Sequence, residues 1–132
     1  MKTRLGLLGA SLASTILLAC GGATLIGPGN ELEVSNDTDR FEWQASMLEN
    51  VTQTLSYKWQ NTATSANIDQ SSSINSGTAT LTIWCVNGNE MYSGPLTQDG
   101  TFETTVGQSG EWTIEVVLVG VHGTVNFRVD AP

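Results

Sequence analysis

Four runs in this chain repeat with a period of two, and that period decides what it can fold into. Phe41, Trp43 and Ala45 alternate with Glu42, Gln44 and Ser46, and Leu55, Tyr57 and Trp59 alternate with Thr54, Ser56 and Lys58. Further on, Trp112, Ile114, Val116 and Leu118 are offset from Thr113 and Glu115, and Val125, Phe127 and Val129 are interleaved with Asn126, Arg128 and Asp130. Successive side chains of a strand point to opposite faces, so each run suits a half-buried strand with one wet face. A helix would need a 3.6-residue repeat, and none is expected in the folded domain. Frequent Thr and Val, with Gly or Asn breaking the pattern roughly every ten residues, fit the same reading.

The turns have matching chemistry. Asn87-Gly88-Asn89 separates the strand through Leu81 from Glu90-Met91-Tyr92, and Asn-Gly tolerates positive φ at both central positions of a hairpin. The stretch from Gly120 to Gly123 is expected to join the last two strands as a second hairpin. Asp99-Gly100 opens the strand containing Phe102, and Gly107 to Gly110 closes it. Seven or eight strands of regular spacing predict an all-β domain over residues 31–132. Its expected form is an antiparallel two-sheet β-sandwich, immunoglobulin-like or jelly-roll-like, with a small barrel as the alternative.

The N-terminus has a different composition. Lys2 and Arg4 precede an uncharged apolar stretch from Leu5 to Leu18, and Leu17-Leu18-Ala19-Cys20 ends it with a small residue before a cysteine. The stretch is about fourteen residues, short of the roughly 20 that a spanning helix needs. The segment resembles the type II signal peptide of bacterial lipoproteins. That resemblance implies a signal helix within residues 1–19, cleavage before Cys20, and acyl chains such as palmitate on Cys20. A single myristoyl-sized chain holds a bilayer only at about 10⁴ M⁻¹, so several chains on one cysteine make the attachment stable. Gly21 stands where an Asp would favour inner-membrane retention, so the resemblance points to the outer membrane of a Gram-negative cell. In a Gram-positive cell it points to the outer face of the plasma membrane. An ordinary secretory signal with Cys20 as a plain thiol is the alternative. Residues 20–30, containing Gly-Gly-Ala-Thr-Leu-Ile-Gly-Pro-Gly-Asn, read as a flexible tether.

Charge narrows the partners. Thirteen acidic residues, all after Cys20, are opposed there only by Arg40, Lys58 and Arg128. Nucleic acid is excluded as a partner, because phosphate contacts need clustered Lys and Arg. An anionic bilayer would repel the body of the domain, leaving the acyl chains to hold it; otherwise the charge serves solubility. A chain of this size buries roughly 65% of its unfolded surface, enough for one core without staples. With Cys20 acylated, Cys85 is left unpaired. Ala79, Leu81, Ile83 and Cys85 share one strand face, so Cys85 is expected to be a small buried hydrophobe.

Little in the sequence carries reaction chemistry. The single histidine, His122, sits in Gly-Val-His-Gly, no serine stands in a nucleophile elbow, and one His with one free Cys is too few for a zinc site. Glu111 and Glu115 flank Trp112 and read as solvated strand-face charges. An enzyme would need two carboxylates about 5–10 Å apart in a cleft, and nothing in the strand pattern builds one. Asn36-Asp37-Thr38-Asp39 is the best cation candidate: Asp37 and Asp39 on a loop are suited to Ca²⁺, yet the same run suits a plain turn.

Trp43, Trp59 and Trp112 fall on apolar faces and are expected in the core. Trp84 falls on the opposite face from Leu81, Ile83 and Cys85, with Thr78, Thr80 and Thr82. There it is suited to stack on a sugar ring or to anchor a protein partner, unless a loop covers it or a bulge between Ile83 and Val86 turns it inward. The stretch from Gly77 to Val129 is similar to a pattern in bacterial surface β-sandwiches, including domains appended to secreted peptidases and those of uncharacterised lipoproteins. That likeness implies a fold and no activity. The expected function is therefore a non-enzymatic binding or structural module on the cell envelope, with an envelope protein or glycan as partner. The alternative is a carbohydrate-binding module that uses Trp84.

Overall fold

The computed structural model describes residues 23–132, so the signal-helix expectation and Cys20 lie outside the described residues. A short 3₁₀ turn, Pro28–Asn30, precedes seven strands: β1 (Glu33–Asp37), β2 (Arg40–Asn61), β3 (Asn67–Gln70), β4 (Ser73–Trp84), β5 (Glu90–Pro95), β6 (Gly100–Glu103) and β7 (Gly110–Asp130). All pairings between these strands are antiparallel. The all-β, antiparallel expectation therefore holds.

The way the layers are made differs from two sheets joined only by loops. β2 and β7 are 22 and 21 residues long and pair with each other from Arg40↔Asp130 to Asn61↔Gly110. Their pairing is interrupted by register shifts between Ala45 and Gln53, and both strands bend there. The first half of β2 and the last half of β7 join β1, β3 and β6 in one layer. The other halves join β4 and β5 in the second. The Phe41 and Leu55 runs are thus two halves of one strand. The expected hairpin at Gly120 to Gly123 is instead a bend inside β7, because both flanking runs keep β2 as their neighbour.

Backbone conformation makes the bend. Met47 and Asn50 on β2 have φ of 53° and 54°, and Gly120 and Gly123 on β7 have φ of 59° and 129°. β4 passes close by: a Cβ on Gly77 (φ 84°) would run into the carbonyl of Gly120, and one on Gly123 into the carbonyl of Ser73. Only glycine permits so close a backbone approach together with positive φ.

Between the layers lies one core, which includes Phe41, Trp43, Trp59, Leu81, Ile83, Trp112, Ile114 and Phe127, each 1% exposed or less. Trp43, Trp59 and Trp112 are buried as the alternation requires. Their polar N–H groups are all satisfied: Trp43 Nε1 donates to Tyr57 Oη (2.8 Å), Trp59 Nε1 to the Asp37 carbonyl (3.0 Å) and Trp112 Nε1 to the Gln108 carbonyl (2.7 Å). Trp59 and Trp112 pack edge to face at 6.0 Å, an arrangement that aromatic quadrupoles favour.

From Thr24 onward, the segment expected to be a flexible tether is bonded to the domain. Thr24 forms a parallel bridge with Val51, its amide donates to Asn50 O (2.9 Å), and its carbonyl accepts from Thr52 (3.0 Å). The Ile26 amide donates to Gln53 Oε1 (2.9 Å), and Ile26 packs on the core. Asn30 Nδ2 donates to the carbonyls of Ser46 (3.2 Å) and Met47 (2.8 Å), which the bend leaves without strand partners. Open donors and acceptors at the bend capture a segment whose Gly and Pro residues read as unstructured.

Candidate functional site

Trp84 ends β4, where it pairs with Thr113 of β7, which in turn pairs with Lys58 of β2. The three form a row across the outer face of the second layer, and Lys58 Nζ donates to Thr113 Oγ1 (3.0 Å). Trp84 is half-buried. Its ring lines a shallow depression of about 320 Å³ with Lys58, Val86, Glu111 and Thr113. A register shift does fall beside it, since Ile83 pairs with Tyr92 but Trp84 with Glu90. The extra residue belongs to β5. Met91 turns inward and is buried, while Trp84 keeps the outward side.

The threonine face is drier than expected at one end. Thr78 is exposed and Thr80 half-buried, but Thr82 is only 8% exposed. It sits between Ser93 and Glu115 on a strand with neighbours on both sides, and its hydroxyl bonds Ser93 Oγ at 3.1 Å. A ligand meeting this face therefore finds a half-buried indole, an ammonium, a carboxylate and hydroxyls. Those groups can stack on and bond a polyhydroxylated ring or hold a protein side chain.

Beneath Trp84, Cys85 is free and buried at 3% exposure. Its thiol donates to Asn87 Oδ1 (2.7 Å), and Gly107 packs against the sulfurs of Cys85 and Met91. Burial pushes the thiol pKa up, but backbone bonds to sulfur from Asn87, Gln108 and Asn89 outweigh it and hold the pKa below the usual thiol value. The hairpin above it closes with Gly88 N donating to Cys85 O (2.9 Å). Of the Asn-Gly pair, only Gly88 takes positive φ (88°), so the turn differs from one with both central residues left-handed.

Asp39 lies in the two-residue turn between β1 and β2, whereas Asp37, expected on the same loop, is the last strand residue and pairs with Arg40. Asp37 accepts from Ser35 Oγ (3.3 Å). Asp39, at φ 68°, uses both carboxylate oxygens on Thr62: Oδ1 accepts the amide and Oδ2 the hydroxyl, each at 2.7 Å. The Thr62 amide, followed by its hydroxyl, lowers the Asp39 pKa. The residue thus ties the first turn to the end of β2. Among the described residues, no group of three or more His, Cys, Asp or Glu is placed to hold a metal ion. His122 lies half-buried at the bend opposite Ser76, and Glu111 and Glu115 lie on the outer face around Thr113.

A second concavity, which the sequence reading missed, lies on the outer face of the first layer. It encloses about 310 Å³ and presents Glu33, Glu42, Gln44, Asp69, Asn126 and Arg128. Arg128 is occupied by Asp69 (3.2 Å) and Asp130 (2.8 Å), and Arg40 by Glu42 (2.9 Å). Its signal was present in the wet-face positions of the Phe41 and Val125 runs. Bringing Glu33 and Asp69 beside them required the strand order β1-β2-β7-β3.

No protein-family model matches the chain, and no curated protein matches it. Among the described residues, no helix is long and apolar enough to cross a membrane.

Proposed function

We propose that the protein is a bacterial envelope lipoprotein, held to a membrane by acyl chains on Cys20, whose β-sandwich is a non-enzymatic binding or structural module. The observation that carries this reading is Leu17-Leu18-Ala19-Cys20 at the end of a charged-then-apolar leader. Gly21 in place of Asp favours the outer membrane over the inner one if the cell is Gram-negative. The buried core residues run from Phe41 to Val129, so the proposed anchor at Cys20 contributes none of them, and Ile26 is the first residue to pack against them. Cys20→Ala is therefore expected to release the protein into the soluble fraction with an unchanged circular dichroism spectrum and melting temperature. Persistence of the variant in the membrane pellet at high salt would remove the lipid-anchor reading.

A second reading, carbohydrate binding, is favoured by the depression that Trp84 shares with Lys58, Glu111 and Thr113. Retention on insoluble cell-wall polysaccharide, lost in Trp84→Ala, is its expected signature. Equal retention of both proteins would sink it.

A further inference from the structure

We infer that the bend of the sandwich is a membrane-resting surface, on which Leu25, Met47 and Val119 enter the interfacial layer of the bilayer that holds the acyl chains. The inference rests on the lipid-anchor reading. These three side chains are among the most exposed large apolar groups of the described residues, at 68%, 60% and 51%. They converge on one end of the molecule. Leu25 follows Thr24, which bonds Asn50 and Thr52. Met47 lies at the start of the same bend, with its carbonyl bonded to Asn30, and Val119 precedes Gly120, whose amide donates to Thr52 Oγ1 (2.9 Å).

The partner is set by the length of chain that precedes this end. Three residues lie between Cys20 and Thr24, a span of four residue steps, and a fully extended chain reaches at most about 3.6 Å per residue, so Thr24 lies within roughly 14 Å of the acylated residue. An acylated cysteine sits at the headgroup level, and an apolar surface resting there is buried about 5–10 Å into the headgroup and acyl boundary. With Thr24 fixed to the bend, the domain has no free tether on which to stand away. The end that must face the lipid carries Leu25, Met47 and Val119, whereas the other strongly exposed groups, Val106 (76%) and Val86 (49%), lie at the opposite end beside Thr64 and Gly110.

Charge selects the kind of lipid surface. Arg40, Lys58 and Arg128 all lie away from the bend in the pairing register, whereas Glu31 and Glu49 flank it. A zwitterionic surface therefore suits this end, and anionic headgroups oppose it.

The test uses the full-length, membrane-extracted protein reconstituted into phosphatidylcholine–phosphatidylethanolamine vesicles. A nitrobenzoxadiazole label is placed on Leu25→Cys or Met47→Cys, and on Thr64→Cys at the opposite end, with Cys85 left buried. Intact mass of the same samples reads the lipid on Cys20 independently. The expected result is a lipid-modified mass with dithionite quenching at positions 25 and 47 at least about tenfold slower than at 64, as burial in the interface requires. Equal quenching at all three positions on lipid-modified protein would overturn the resting surface and leave the anchor standing. A mass without lipid would overturn the anchor and the inference together. Two labelled positions guard against one substitution disturbing the bend.

Discussion

Trp43 and Tyr57 lie on the same strand, fourteen residues apart, and meet across the core: the indole Nε1 donates to the phenol oxygen at 2.8 Å. Phe41 packs on the same Tyr57 ring at a centroid distance of 5.3 Å. β2 therefore closes the sandwich on itself. Tyr57→Phe is expected to leave a buried N–H without a partner and to cost about 1–3 kcal/mol. A urea titration reads this as a lower midpoint at unchanged slope; an unchanged midpoint would show that the bond adds nothing to closure.

Gly77 is expected to be the least replaceable residue of β4. Alanine there meets the Gly120 carbonyl and must hold φ at 84°, so Gly77→Ala is expected to destabilise by at least about 2 kcal/mol. Gly88, also at positive φ but with open space around it, should tolerate alanine better. A similar melting temperature for the two variants would contradict the close crossing at the bend.

The low pKa of Asp39 makes it a contributor to acid sensitivity. A carboxylate with a folded pKa below its unfolded value contributes stability above the unfolded pKa, and this is lost as pH falls through the folded one. Asp39→Asn keeps a residue tolerant of positive φ while removing the charge. The variant is expected to have a lower urea midpoint than the parent at neutral pH, with the gap narrowing below the usual Asp range. A gap that stayed constant with pH would assign the effect to geometry alone.

Cys85 combines a lowered pKa with burial, so size and pH should separate its reactions. A bulky maleimide is expected to leave the native protein unlabelled and to react once it is unfolded in urea. Iodoacetamide, if it enters by local opening, should react with a pH midpoint set by exposed thiol, whereas reaction in the folded state should show a midpoint shifted down. Rapid native labelling by the bulky reagent would refute the packing of Gly107 and Met91 over the sulfur.

Much of the core was legible in the sequence, because a period of two assigns each residue to a face whatever the strand order. Trp43, Trp59, Trp112 and Cys85 are buried for that reason, and Trp84 faces outward. Gly120 and Gly123 show where that logic stops. A glycine pair between two alternating runs fits a hairpin and a bend equally well, and the choice depends on whether the second run keeps the same neighbour. Here it does, since β2 turns with β7.

The same physics divides the whole protein. Local alternation and turn residues determined an all-β domain and the identity of its buried face, because each depends on neighbours in sequence; leader composition supports the proposed signal ending at Cys20 on the same local basis. Tertiary structure alone decided that two long strands serve both layers, that residues 24–30 lie against the bend, and that Glu33 and Asp69 share a concavity with Glu42 and Arg128. Those outcomes depend on which backbone donors and acceptors are left open after distant strands pair, and no local pattern records that.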